Sequence, residues 1–399
     1  MMTSLYKYIA VLAASLCCLL PLLQARAQDD TVASTQQLTD TVDRNADDFV
    51  TVSILFAQPG GALYSRFGHV GLRMQCPSGG LDLVYSYESE DAASRVMSFL
   101  AGKLLMGLFA IPTEEYLGLY AEEDRGVKEY ELNLPIWNKR NLWRVLDGHV
   151  AEGIYLPYDY ITRGCAHSTL QFLCEGLEAT PLVYGSWPEK FTTMTRRELA
   201  GLQMKDSPWC WAFLNLICNG SIDATCSKSE KVIMPVDLID VLSHATVQGQ
   251  PVLKGTCVEL LPDGPGMKAP LITPTMVAIA LLLLTVVAAF VRWRFVDYVL
   301  LALQTLIGLV TVYLVCFSSL CCTEWSWLII PFNPLPLVCW KWRKHWALPF
   351  ALLIVAWCLF IAFAGHRFTD TPFVLLALAL AVNYANLYLR NRNTKQTNR

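Results

Sequence analysis

The residues in this chain best suited to chemistry are a cysteine and a histidine. Cys165 lies in the stretch Tyr158 to Leu173, YDYITRGCAHSTLQFL, with Gly164 immediately before it and Leu170, Phe172 and Leu173 spaced among polar residues after it. That pattern predicts a turn running into a helix. A thiol there sits at a helix N-terminus, where unpaired backbone N–H groups and the positive end of the macrodipole favour the nucleophilic thiolate. Cysteines of exported chains are more often disulfide partners or small buried apolar residues. A catalytic role therefore also requires a base within reach and a third group to orient that base. Of the six histidines, His69 falls in a strand-like run just after Phe67-Gly68, and Asp82 follows on the next strand-like run. The expected set is Cys165 as nucleophile, His69 as base and Asp82 as the group that holds its ring. His167 competes as base, but two residues along a helix from Cys165 it points away from the thiol. Gly164, His167, Tyr158 and Arg73 are candidate accessory residues.

Positioning that set takes a sheet and at least one helix. Phe49 to Ala57 (FVTVSILFA), Tyr64 to Met74 (YSRFGHVGLRM) and Leu81 to Tyr87 (LDLVYSY) read as three strands of a meander. They are divided by Pro59-Gly60-Gly61 and by a turn containing Pro77, Gly79 and Gly80. Lys128 to Leu134 alternates as an edge strand does, and Ser98 to Ala121 takes no assignment. Helical spacing covers Ile136 to Gly153 and Met234 to Thr246, the latter with Pro235 near its first turn.

The chain has 399 residues, 54% apolar and 16% charged, with the apolar excess at the N-terminus and in the last third. A net charge of −3, without a basic stripe and interleaved aromatics, excludes nucleic acid as a partner. Lys7, an apolar run from Ile9 to Leu23 and then Ala25-Arg26-Ala27 follow the order of a secretory signal peptide. Residues 1–27 are therefore expected to be removed, 28–48 to form a polar leader and 49–268 an exported domain. Of the 14 cysteines, Cys76, Cys165, Cys174, Cys210, Cys218, Cys226 and Cys257 belong to that domain. An odd number leaves at least one unpaired, and the sequence does not choose among the pairings of the rest. Cys321 and Cys322 can face the same compartment. Neither Cys165-Ala166-His167 nor the spacing of Cys210, Cys218 and Cys226 matches a close-paired zinc pattern, so no metal or other cofactor is expected.

Leu271 to Val291, Val296 to Phe317, Trp346 to Ala364 and Pro372 to Leu389 each have the apolar length to span a bilayer. Trp325 to Trp340 is apolar too, but Pro331, Pro334 and Pro336 forbid a regular helix, leaving a broken crossing or a re-entrant segment. With the exported domain outside, five crossings put Arg292 and Arg294, then Lys341, Arg343 and Lys344, then Arg390, Arg392, Lys395 and Arg399 all inside. The expected bundle occupies 269–390, with 391–399 a cytoplasmic tail. Asn333, Asn383 and Asn386 are expected to hydrogen-bond between helices. The broken segment, with Cys321, Cys322 and Glu324, is a candidate lipid-facing wall beneath the exported domain. No residue pattern sets an oligomeric state.

A strand-borne histidine preceding a cysteine at a helix start resembles the circularly permuted papain-like enzymes, including NlpC-type relatives and lecithin:retinol acyltransferase. More specifically, YSRFGHVGLR, LDLVYSY, YDYITRGCAHS, NGSID and MPVDL, with WSWLIIPFNPLPL in the membrane third, are similar to the Lnb-type lipoprotein N-acyltransferases. The chain departs from that family's pattern in having Gly164 where Asn precedes the nucleophile and His167-Ser168 where Thr-Arg follows Cys-Ala; it has SLCCTEW where a histidine precedes the third span. The resemblance implies an α+β fold, with a permuted papain-like (NlpC-type) exported domain followed by an all-α transmembrane bundle of about five spans. It implies transfer of a fatty acyl chain from a membrane phospholipid, through a Cys165 thioester, to the α-amine of a diacylglyceryl lipoprotein, without a cofactor. The implied location is the inner membrane, with the catalytic domain in the periplasm and the C-terminus in the cytoplasm. Two other readings of the same residues are a membrane-tethered cysteine peptidase or amidase acting on cell-wall peptide and a non-enzymatic envelope assembly factor.

Overall fold

The computed structural model describes residues 50–89, 96–159, 163–225, 232, 234–266, 268–320, 322–323, 325–364 and 369–397. The expected signal peptide and leader, together with Cys226, Cys321, Glu324 and His366, lie outside the described residues.

Runs rich in β-branched, aromatic and other apolar residues build the three expected strands, β1 (Thr51–Ala57), β2 (His69–Cys76) and β3 (Leu81–Glu88). Residues 64–68, expected within the second strand, instead form a turn, and β2 starts at His69 itself. Gly68 makes that start: its φ is +81°, and a Cβ there would lie 2.5 Å from the Ala57 carbonyl oxygen, so only glycine fits. The unassigned region supplies β4 (Leu105–Pro112) and α1 (Thr113–Glu122). With β5 (Val127–Glu131), β6 (Leu156–Pro157) and β7 (Val258–Leu261) the sheet has the order β7-β5-β1-β2-β3-β4-β6, and every neighbouring pair is antiparallel. The expected edge strand at 128–134 is thus interior, because β7 pairs with its outer side.

One face of the sheet is covered by α2 (Ile136–Glu152), α3 (Cys165–Gly176) and α5 (Pro235–Ser243), and α4 (Pro208–Ile217) lies between α3 and α5 in the chain. Along α3, Ala166, Leu170, Leu173 and Leu177 recur at helical spacing and pack against Val70, Leu72 and Met74 of β2 in the main core. Gly176 lets α3 approach α2 closely, since a Cβ there would meet Leu142 at 2.7 Å. On the opposite face Tyr116 and Tyr120 of α1 cover Leu55 and Val84.

Among the described residues four helices are long and apolar enough to cross a membrane: α6 (Pro274–Val291), α7 (Phe295–Phe317), α8 (Arg343–Ala364) and α9 (Thr371–Thr397). This is one fewer than the expected five, because the proline-bearing segment forms only short turns, at 327–329, 335–338 and 340–342. Those turns run along α7. Gln304 Nε2 donates to the Pro331 carbonyl at 2.9 Å, a Cβ on Gly308 would lie 1.9 Å from the Phe332 carbonyl oxygen, and Tyr298 meets Trp340 near the start of α7. Asn333, expected to bond between helices, bonds instead to Ile330 and Leu335 of its own segment. Asp297 with Arg390 (2.7 Å) and Gln304 with Tyr384 link the helices instead.

The sheet and its covering helices rest on the opposite end of α7. Ser319 N and Oγ donate to the Ala101 and Gly102 carbonyls, Asn219 N donates to the Cys322 carbonyl at 2.5 Å, and Trp209 Nε1 donates to the Ile272 carbonyl at 2.8 Å. Between these bonds lies an apolar cluster with Leu214 and Ile217 from α4, Leu314 from the end of α7 and Leu320 from the segment after it.

Candidate active site

Cys165 is the first residue of α3, and Gly164 is its N-cap, extended at φ −83°, ψ 168° with no side-chain cap. The missing cap leaves the first-turn N–H groups to another acceptor, and the Ala166 N–H takes the Cys165 sulfur, as does the Val70 N–H from β2. His69, one residue before Val70, hydrogen-bonds the same thiol. Burial pushes the Cys165 thiol up, but the His69 charge, its hydrogen bond and the two N–H groups outweigh it and hold the thiol below the ordinary cysteine value. Burial pushes His69 down; the charge of Cys165, the shared hydrogen bond and the charge of Glu88 outweigh that and raise it overall. The two shifts together favour a thiolate–imidazolium pair.

The structure brings His69 to Cys165 but does not bring Asp82 to His69. In the β2–β3 register Gly71 faces Ser86 and Gln75 faces Asp82, so the register carried outward sets His69 against Glu88. Asp82 is six residues from there, about 20 Å along the strand. Its carboxylate receives Arg73 Nη2 and Nε at 2.6 and 2.8 Å and Thr113 Oγ1 at 2.5 Å, and Gln75 adds a further bond. Arg73 also reaches Glu129 at 3.1 Å, so this candidate accessory residue belongs to the ion cluster around Asp82.

His69 Nε2 lies 2.8 Å from Ser86 Oγ, and Ser86 Oγ donates to Glu88 Oε1 at 2.5 Å. Because the Ser86 hydroxyl hydrogen is directed to Glu88, Ser86 accepts from His69 Nε2–H. That leaves Nδ1 to exchange a proton with the thiol. Glu88 Oε1 is itself 3.5 Å from His69 Nε2.

Tyr158 stands within electrostatic range of Cys165. Burial, then the neighbouring Cys165 and Asp159, raise its phenol far above the ordinary tyrosine value, so it stays a hydrogen-bond donor. Its ring packs 6.0 Å from Phe99. His167 is two residues along α3 from Cys165, a spacing at which helical side chains do not face each other. His149 is engaged at 2.8 Å by Glu175, and His244 bonds within its own turn. Among the described residues no group of three or more His, Cys, Asp or Glu side chains is arranged to hold a metal ion.

No curated protein and no solved structure matches the chain. Two family models do: the Lnb N-terminal periplasmic domain over residues 35–192, which contains His69, Ser86, Glu88 and Cys165, and the Lnb transmembrane domain over residues 267–395. Matched in this order and over most of its length, the chain belongs to the Lnb family, with a periplasmic N-terminal domain and a transmembrane C-terminal one.

Proposed function

We propose that this chain is a thiol-dependent acyltransferase that moves a fatty acyl chain from a membrane phospholipid to the α-amine of the N-terminal lipidated cysteine of lipoproteins. The observation that carries this reading is the Cys165–His69 pair at the start of α3, in a domain whose adjoining surface is docked on the end of α7. A nucleophile delivering to soluble wall peptide has no need of four apolar helices, whereas two lipid substrates do. The order His-on-strand before Cys-on-helix also supports the permuted papain-like reading of the exported domain.

In the first half-reaction His69 Nδ1 takes the Cys165 proton and the thiolate attacks the ester carbonyl carbon of the phospholipid. N–H groups at the start of α3 are the donors for the tetrahedral oxyanion. As the carbon–oxygen bond breaks, the imidazolium returns its proton to the departing glycerol oxygen. A lysophospholipid leaves and the acyl chain remains as a Cys165 thioester. In the second half, the lipoprotein amine attacks the thioester carbonyl and His69 accepts the amine proton. The carbon–sulfur bond then breaks to give the amide and regenerate the thiolate–imidazolium pair. Ser86 and Glu88 hold the ring throughout. Exclusion of water at the docked face protects the thioester from hydrolysis.

The basic residues Arg294, Arg343 and Arg390 gather at the end of the bundle away from the exported domain, where Asp297 pairs with Arg390 and Arg343 stacks on Trp340. This supports an inner-membrane protein with that end in the cytoplasm and the broken segment as a fifth, non-helical passage. Mass spectrometry of lipoproteins from cells lacking the chain tests the reading. N-terminal acylation is expected to disappear, to return with the wild-type chain and not with Cys165→Ala; equal restoration by Cys165→Ala would overturn it.

A further inference from the structure

We propose that Cys218 and Cys322 are joined by a disulfide in the mature protein, fastening the exported domain to the loop that follows the second membrane helix. Their sulfurs are 3.7 Å apart, and both residues are buried, at 2% and 0% exposure. A disulfide needs about 2.05 Å, so closure requires the sulfurs to approach by roughly 1.7 Å, a distance on the scale that rotation about χ1 moves a sulfur. The backbones are already held: the Asn219 N–H, next to Cys218, donates to the Cys322 carbonyl. Around the pair, Met204, Leu214, Ile217, Leu314 and Leu320 form one apolar cluster drawn from both domains. Neither thiol has a part in the chemistry of Cys165.

Both cysteines belong to the docked face, on the exported side of the bundle, where thiol oxidation is sustained. The oxidant is a protein disulfide of a thiol oxidoreductase in that compartment. One thiolate attacks that disulfide to form a mixed disulfide, and the second displaces the carrier. Cys218 and Cys322 lose two electrons and two protons in total, and the carrier disulfide gains them as a dithiol. The bridge spans 104 residues of sequence and ties α4 to the end of α7. It also lies near the active site, since the Tyr158 hydroxyl is within electrostatic range of Cys165, Cys218 and Cys322 alike. Held this way, the exported domain cannot lift from the bundle at that edge.

Full-length protein in its native membranes is denatured in N-ethylmaleimide without reductant, then reduced and labelled with an isotopically heavier maleimide, and each cysteine is read by fragment mass spectrometry. The expected result is the heavy label on Cys218 and Cys322 in wild type, with Cys322 switching to the light label in Cys218→Ser. Light label on both residues in wild type overturns the proposal. So does heavy label retained on Cys322 in Cys218→Ser, which would assign its partner to Cys210 or Cys321. If Cys218→Ser does not accumulate, Cys322→Ser gives the reciprocal readout at Cys218.

Discussion

The two ends of the β2–β3 pair carry polar clusters of similar make-up and different consequence. At one end His69, Ser86 and Glu88 form a chain of hydrogen bonds that ends on the thiol of Cys165. At the other, Arg73 sits between Asp82 and Glu129, with Thr113 and Gln75 adding bonds to Asp82. Each has carboxylate and base on neighbouring strands. In the second cluster Arg73 is matched by two carboxylates and has no proton to exchange, because guanidinium stays charged at any working pH. In the first, the base is an imidazole, a group that can both take up and release a proton, and it stands against a nucleophile at a helix start. Two ionic clusters on one hairpin thus divide between chemistry and support.

The largest effect is expected at the thiol. Cys165→Ser and His69→Ala should each lower acyl transfer by on the order of 10³-fold or more, the scale seen when a member of a catalytic set is removed. A lipid ester that labels thiols should mark the wild type and leave Cys165→Ser unmarked. Retained labelling in Cys165→Ser would remove the α3 start from the mechanism.

Glu88 gives the next effect. Its charge is one of the influences that raise His69, against the downward push of burial. Glu88→Gln should therefore lower the His69 pKa, and the alkaline limb of the pH–rate profile, where the imidazolium is lost, should move to lower pH. The rate at neutral pH should fall about tenfold. Ser86→Ala keeps the Glu88 charge 3.5 Å from Nε2, so its loss should be smaller and the limb should stay closer to the wild-type position. A shift in Ser86→Ala as large as that in Glu88→Gln would mean that Glu88 acts on His69 through the Ser86 hydrogen bonds and not through its charge across 3.5 Å.

Much of this arrangement was legible in the sequence. Short β-branched and apolar runs bounded by Pro and Gly turns mark the strands, Gly164 before an apolar helical pattern marks the start of α3, and the strand-borne His69 does lie beside Cys165. Asp82 falls on the neighbouring strand, as expected, but six residues from the rung that faces His69, because a strand pattern fixes a face and not an offset. The missing signal was the turn: Cys76 pairs with Leu81 across it, and counting outward from that pair sets His69 against Glu88. The broken segment at 325–340 could be read from its prolines. Its docking along α7 could not, since that depends on Gly308 clearing space for a backbone carbonyl 24 residues later in the chain. The proximity of Cys218 and Cys322 arises only when the two domains meet, and nothing local in either sequence marks it.

The smallest effect is expected at Asp82, and it is the one that separates support from chemistry. Burial pushes its carboxyl up, but the Arg73 and Thr113 hydrogen bonds, the Arg73 charge and Gln75 outweigh that and hold it below the ordinary carboxylate value. A depressed carboxylate contributes stability above its unfolded pKa of about 4 and loses that contribution as pH falls through the folded value. Asp82→Asn should therefore cost on the order of 1 kcal/mol at neutral pH, a figure held down by solvent screening of its partly exposed side chain. Below about pH 4 the difference in Tm between the variant and the wild type should shrink. Acyl transfer by Asp82→Asn should stay within about twofold of wild type, since the His69 ring takes nothing from it. A loss of activity comparable to Glu88→Gln, without a fall in Tm, would mean that the two ends of the hairpin are coupled through the strands and that Asp82 helps to position His69 after all.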